Sequence, residues 1–293
     1  MSAEREDEYK VTSEIHQNSK VDKSAKPIVS PENVVTKFGF KLPSNLGVNS
    51  KQEHLIRTDE DGDFILDRSR RIEQEDAILI EQSHSTTLEL VGLQVWRGAL
   101  ALADFVLFHG QSLFKDKVVL ELASGTGLTS IVAAMFAKEV ICTDVDIGGI
   151  LNLIKANATR NSKYVSAEFT VDGLDFYARQ WSNNLEAKLT EVSIVLVADA
   201  IYDNDLTEEF VKTLVKILSI PPKKTIFIAL EKRYVFTVSD LECVAPCYEH
   251  FLSCFNKARS GSHWQVNQIP IDFPQYFNYD RVKELVLWRI ISE

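Results

Sequence analysis

The chain has 293 residues, of which 45% are hydrophobic, and a formal net charge of −10. That is enough for one large domain with a buried core plus a tail, and the acidic balance argues against non-specific binding to nucleic acid, whose phosphates would repel it. The same charge suits a basic or lysine-bearing partner. No apolar leader or membrane-length run stands out, so the expectation is a soluble intracellular protein in which Cys142, Cys243, Cys247 and Cys254 are reduced thiols.

Residues 1–50 are polar, mixed in charge and interrupted by Pro27, Pro31 and Pro43, which predicts a disordered tail. Residues 51–90 are expected to form a small β extension, with short strands at Phe64–Leu66 and Ala77–Ile80 followed by Thr87–Leu93. Asp59-Glu60-Asp61-Gly62-Asp63 has its glycine too early for a calcium loop and reads as a solvated turn. Val91–Leu100 runs into an amphipathic helix ending near Phe108, and Trp96 at its head is a core anchor or an aromatic wall beside a ligand.

The organising stretch comes next. Val118–Leu122 is a run of apolar β-formers, as in a strand buried on both faces. Ala123–Gly127 is a small-residue turn, and Leu128–Ala137 reads as a helix packed back on the strand. Such a turn lets backbone N–H groups approach a ligand closely. The next strand, Glu139–Thr143, ends in Asp144, 17 residues beyond Gly127, where a ribose-binding acid is expected. A dinucleotide site asks for a third glycine, and that position holds Ser130. Glu121 inside the strand can face a cationic ligand. Glu121 with Asp144 suits S-adenosyl-L-methionine, which carries an α-amino group and a ribose but no phosphate.

Beyond Asp144, Gly148–Thr159 reads as a helix and Ala167–Val171 as a strand whose exit holds Asp175 and Phe176. Val192–Val197 is the fourth strand and runs into Ala198-Asp199-Ala200-Ile201-Tyr202. A helix at Leu206–Leu218 is stopped by Pro221-Pro222. Thr225–Leu230 is the fifth strand, Pro246–Lys257 a helix, and Trp264–Ile269 and Glu284–Ile291 a closing strand pair. The expected fold is therefore α/β: a Rossmann-like, doubly wound, seven-strand sheet, mostly parallel with an antiparallel terminal strand, occupying residues 91–293. Asp144, Asp175, Asp199 and the glycine turn all fall at predicted strand ends, where ligands bind in such sheets.

Cys243, Cys247, His250 and Cys254 share one helical stripe, but 11 residues of helix extend about 16 Å, too far for four ligands on one ion. No metal is expected from that stripe.

Glu121-Leu-Ala-Ser-Gly-Thr-Gly127 with Asp144 resembles the class I methyltransferase signature. Asp199-Ala-Ile-Tyr202 resembles the Asp/Glu-x-x-Tyr/Phe motif of the seven-strand protein-lysine methyltransferases of family 16. Gln94–Gly98 resembles that family's tryptophan segment, and Leu174-Asp-Phe176 its Leu-Asp-Trp segment. The stretches Gly92–Leu100, Tyr202–Thr207, Leu230–Arg233 and Tyr248–Cys254 resemble a single member of it. The resemblance spans residues 60 to 293. It implies that Trp96 borders the methionine end of the cofactor and that Ala123, Ser124, Gly125, Thr126 and Gly127 line its backbone side. Glu121 would lie near the amino group, Asp144 on the ribose and Phe176 beside the adenine. Ala198 and Tyr202 would close the site beside Asp199. Ala123 stands where the family has glycine, which matters if that residue needs a positive φ.

On this reading Asp199 holds the incoming lysine amine and Tyr202 shapes its channel, and replacing Asp199 by alanine abolishes transfer while sparing cofactor binding. The implied protein is a nuclear or nucleocytoplasmic monomer that methylates a lysine of a protein substrate, a nuclear nucleic-acid-binding protein being one such candidate, with no stable nucleic-acid or membrane binding. The alternatives are a methyltransferase for a nucleic-acid amino group, which would favour Asn/Asp-Pro-Pro-Tyr/Phe at this position, and a non-catalytic module on the same scaffold.

Overall fold

The computed structural model describes residues 10–42, 76–237 and 242–292. In chain order its elements are α1 (Ile15–Asn18), β1 (Lys20–Val21), β2 (Val34–Phe40), β3 (Asp76–Gln82), α2 (Arg97–His109), β4 (Val118–Leu122) and α3 (Leu128–Ala133). They continue with β5 (Glu139–Asp144), α4 (Ile150–Arg160), β6 (Glu168–Gly173), α5 (Asn183–Lys188), β7 (Ile194–Ala198) and α6 (Asn204–Ser219). The last are β8 (Thr225–Glu231), β9 (Val235–Thr237), β10 (Glu242–Val244), α7 (Pro246–Ala258), β11 (Gln265–Ile269) and β12 (Leu285–Ile291).

Seven strands form one sheet in the order β11-β12-β8-β7-β4-β5-β6. Both neighbours of β12 pair with it antiparallel, and every other pairing is parallel, so β12 alone runs against the rest. Each parallel step needs a crossover, and α3, α4, α5 and α6 supply them. All five residues of β4 are buried, because helices cover both faces of the sheet at its centre. One core packs α2 and α3 on the sheet through Leu100, Phe105, Ile131 and Val132. The other packs α6 and α7 through Phe210, Leu214, Phe251 and Phe255. By composition Leu88–Phe114 is apolar enough to span a bilayer, contrary to the expectation that no run of that length exists; 67% of an 18-residue window within it is buried inside the protein.

The chain leaves β4 toward β5 on one side and returns to β7 on the other. The carboxyl ends of β4 and β7 therefore flank the point where the winding reverses, and a crevice opens there.

The expected tail is corrected over residues 10–42. Here β2 pairs along its whole length with β3, and Val35, Phe38 and Phe40 are buried. Polar and proline-rich flanks hid this strand, because its partner lies some forty residues downstream. Two further contacts fix the segment. The Glu81 carboxylate accepts the backbone N–H groups of Ile28, Val29 and Ser30. On the outer edge of β3, Asn157 of α4 and Asn161, which caps that helix, act as a substitute strand. Asn157 Oδ1 accepts Glu81 N–H at 2.7 Å while its Nδ2 donates to Glu81 O at 3.0 Å. Asn161 does the same for Leu79 at 2.9 and 2.8 Å. Edge hydrogen bonds that would otherwise face water are thereby satisfied. The small sheet is therefore tied to the large domain, and no boundary separates residues 76–90 from residue 91 onward.

The expected strand at Thr87–Leu93 is instead a 3-10 turn over Leu88–Leu93. The expected strand at Phe64–Leu66 lies outside the described residues. The short helix α5 and the β9–β10 hairpin are additions the periodicity did not signal.

Candidate active site

The turn after β4 is a left-handed staircase. Ala123, Gly125 and Gly127 have φ of 49°, 58° and 79°. Glycine takes such angles freely and alanine does not, so Ala123 does occupy the position that asks for glycine. Gly125 has a second reason to lack a side chain: a Cβ there would stand 2.8 Å from the Gly92 carbonyl oxygen. The 3-10 turn thus lies directly on the glycine turn.

Asp144, at the end of β5, locks the staircase. Its Oδ2 accepts Gly125 N–H at 2.7 Å and its Oδ1 accepts Val145 N–H at 2.8 Å. Burial pushes this carboxyl up to about 6, against the pull of the two N–H groups. Ser124 crosses to the neighbouring strand, its N–H donating to Thr143 O and its hydroxyl accepting Thr143 N–H.

Two hollows share this rim. The outer one, about 560 Å³, is lined by Leu88, Asp144, Leu174, Phe176, Tyr177 and Tyr202. The inner one, about 80 Å³, is walled by Trp96, Ser124, Gly125, Thr126, Ala198 and Asp199. Ala123, Asp144 and Tyr202 belong to both. The structure therefore gathers most of the expected residues around one opening. Two stand apart. Glu121 is 1% exposed and lines neither hollow; it accepts the Ser130 hydroxyl beneath the turn, and burial pushes its carboxyl up to about 7. Gly127 faces Ile154 of α4 and serves the turn's shape.

Asp199 also differs from expectation. It follows β7 with φ of 48°, and its carboxylate is a backbone clamp. Oδ2 accepts Gly98 N–H at 2.5 Å, and Oδ1 accepts Glu231 N–H at 2.9 Å. It joins the first turn of α2 to the end of β8 across the switch point. Burial raises its pKa, opposed by the Arg233 charge and these N–H groups. Gly98 must be glycine, since a Cβ would meet Asp199 Oδ2 at 2.6 Å and Ala229 O at 3.0 Å. Beside the clamp, Arg97 Nη1 binds both Glu231 carboxylate oxygens at 2.8 and 2.9 Å.

Trp96 is held by its indole N–H, which donates to Val91 O at 2.9 Å. Arg233 lies over the ring, its Cζ 4.7 Å from the centroid, and pairs with Glu14 at 3.1 Å. The amino-terminal arm braces the same segment: Ser13 N–H donates to Gln94 Oε1, and Ser13 Oγ donates to Val95 O. Tyr202 is mostly buried, and desolvation followed by the nearby Asp144 charge pushes its phenol up to about 12, so it stays protonated. The residues missed from sequence are Gly92, Gly98, Glu231, Arg233 and the arm. Gly92, Gly98, Glu231 and Arg233 lie in stretches that carried the family resemblance, Glu231 and Arg233 also at the end of a predicted strand, whereas the arm carried no signal.

Comparison with known proteins locates these features. Residues 73–244 match the lysine methyltransferase family. Human methyltransferase-like protein 22 is 34% identical over 265 residues, covering 84% of this chain and 65% of the relative. Its mouse counterpart is 35% identical over 257 residues, covering 81% and 65%. The mouse protein-lysine N-methyltransferase EEF2KMT is 25% identical over 222 residues, covering 71% and 59%. The chain thus spans about 65% of the length of the first two relatives.

Proposed function

The chain belongs to the lysine methyltransferase family, and we propose that it is an S-adenosylmethionine-dependent protein-lysine N-methyltransferase. The observation that carries the proposal is the glycine turn locked by Asp144 at the head of an opening that ends on Asp199 and Tyr202. The donors fit the cofactor. Gly92 and Gly125 let the 3-10 turn close onto the glycine turn, since a Cβ on either would clash with protein atoms already there, and both line the inner hollow. Each Asp144 oxygen keeps a lone pair for a ribose hydroxyl, and Phe176 and Leu174 give the adenine ring apolar walls. Glu121 lies too deep to reach an amino group; it supports the turn from below.

The cofactor, when bound, supplies a methyl group on a sulfonium already activated toward an amine. The protein's part is alignment and exclusion of water. A lysine with pKa 10.4 is neutral in only about one part in a thousand at neutral pH, so its proton leaves to water before or during approach. Tyr202, a protonated phenol, walls the path and is not the base. Asp199 spends one lone pair of each oxygen on a backbone N–H. Its charge draws the amine inward while its geometry keeps Trp96 and the end of β8 in register. Asp199 is thus an orienting group first.

The test uses labelled cofactor with the purified chain and separate pools of protein, RNA and DNA. Label on protein lysines, read by mass spectrometry, is the expected result. Label on nucleic acid alone would select the rival transferase, and calorimetry without cofactor binding would select the non-catalytic module. On the family resemblance we also propose a monomer in the nuclear or nucleocytoplasmic compartment whose substrate is a nuclear nucleic-acid-binding protein. Imaging of the tagged chain and mass spectrometry of methylated lysines in treated lysate test those points.

A further inference from the structure

Outside the two hollows, three side chains of metal-ligating type meet on the outer surface of α6 and α7. His250 and Cys254 lie one helical turn apart on α7 and so share a face. Glu208 reaches them from α6, which packs against α7. The three donor atoms all lie within 4.8 Å of one another. His250 Nε2 is 3.4 Å from Cys254 Sγ and 3.3 Å from Glu208 Oε1.

We propose that Glu208, His250 and Cys254 form a zinc site that fastens the beginning of α6 to α7. The one-helix stripe rejected from sequence could not close on an ion; this set can, because the third ligand comes from the neighbouring helix. One imidazole nitrogen faces two electron-pair donors and can give a proton to only one of them. The 3.3 Å approach to a carboxylate is long for a charge-assisted hydrogen bond, which settles near 2.7–2.9 Å. Both separations match the edges of a coordination tetrahedron instead. Zinc bonds of about 2.3 Å to sulfur and 2.0–2.1 Å to nitrogen or oxygen set those edges near 3.5 and 3.3 Å. Thiolate and imidazole select a soft or borderline ion over magnesium or calcium. Glu208 and the Cys254 thiolate together neutralise the ion's charge. All three residues are at least partly open to solvent, which gives an entry path and a fourth position for water.

The site bears on the opening through α6. That helix starts immediately after the Asp199–Tyr202 segment and is capped by Asp203, which accepts Leu206 N–H at 2.8 Å. Glu208 is on its second turn. An ion at Glu208 holds this end of α6 against α7 and so fixes where Tyr202 sits.

The full chain, stripped with chelator, is titrated with zinc against a chromophoric competitor and, in parallel, loaded with cobalt. One equivalent of zinc is expected, with a rise in thermal midpoint over the chelated protein. The cobalt form should show a thiolate charge-transfer band that disappears in C254S and persists in C243S and C247S. E208Q should weaken zinc about tenfold or more. The substituted side chains are partly exposed, so circular dichroism of the metal-free variants should match wild type; if C254S fails that check, the wild-type stoichiometry and melting shift decide. The proposal is overturned by sub-stoichiometric zinc in the wild-type chain, by an unchanged melting point, or by a cobalt band that survives in folded C254S. None of these measurements depends on methyl transfer.

Discussion

On the β4–β5 side of the opening, the working parts lie close together in the chain. Gly125 and the Asp144 that locks it are 19 residues apart, within one strand-turn-helix-strand unit. On the β7–β8 side, Asp199 binds Gly98 at a separation of 101 residues and Glu231 at 32, while Arg233 is paired with Glu14 across 219. The first wall is built by local turn chemistry and the second by tertiary contacts between segments that share no sequence unit. Damage to each should therefore read out differently: local damage in cofactor affinity, long-range damage in turnover and global stability.

The largest effect is expected from G125A. The new Cβ meets a backbone carbonyl at 2.8 Å in a conformation with φ of 58°, so neither neighbour can yield cheaply. A loss of about 3 kcal/mol, or roughly a hundredfold in cofactor affinity, is expected. Calorimetry on the folded variant checks it. An unchanged affinity would mean the turn is not where the cofactor binds.

Next comes the clamp. D199A removes the acceptor of two N–H groups, and about 3 kcal/mol of stability should be lost. The expectation that D199A abolishes transfer while sparing cofactor binding is thereby joined by a cost in stability. G98A tests the same contact from the other side, by pushing a Cβ to 2.6 Å from Asp199 Oδ2. Both should lower turnover well beyond their effect on cofactor affinity, and denaturant titration should register both. If G98A lost affinity as severely as G125A, the division between the two walls would collapse.

The same division explains what was legible in the sequence. The β4–turn–β5 unit, the alternation of strands and helices and the reversed terminal strand follow from periodicity and turn residues, which are local signals. The Asp199–Tyr202 segment was visible as a strand end, but Asp199's partners were not. A carboxylate gives no sign of whether it will accept from a substrate amine or from Gly98 and Glu231. Likewise Val34–Phe40 is a strand only because β3 pairs with it, and Glu121 looked ligand-facing because pattern alone does not say how deep a strand residue lies below the crevice.

Glu121 supplies the next test, on the local wall. Its pKa rises on folding from 4.5 to about 7 because burial disfavours the charge. An acid of this kind adds stability at low pH and gives it up as pH climbs from about 4.5 to about 7, because the unfolded chain ionises first. The span corresponds to about 3 kcal/mol at most. Asp144, raised from 3.8 to about 6, contributes with the same sign in a lower window. E121Q should therefore flatten the upper part of the pH profile, gaining stability over wild type at pH 7.5 and little at pH 5. Denaturant titrations at those two values measure it. A variant that keeps the wild-type slope would show that Glu121 is ionised in the folded protein.

The smallest expected effect is at Ala123, in the same wall. Its φ of 49° costs an L-residue about 1–2 kcal/mol relative to glycine. Glycine in turn frees the unfolded chain and costs about 0.5–1 kcal/mol. The difference favours A123G by about 0.5 kcal/mol, and that margin is narrowed further by losing a methyl group that lines both hollows. For a chain of this length such a gain raises the melting point by only about 1–2 °C, so denaturant midpoints measured side by side are the better check. Cofactor affinity should stay within about twofold, because Asp144 and Gly125, not Ala123, lock the staircase. A clear loss of stability in A123G would instead mean that the methyl packs against its surroundings strongly enough to outweigh the strain, and that this wall relies on a side-chain contact where backbone geometry alone was invoked.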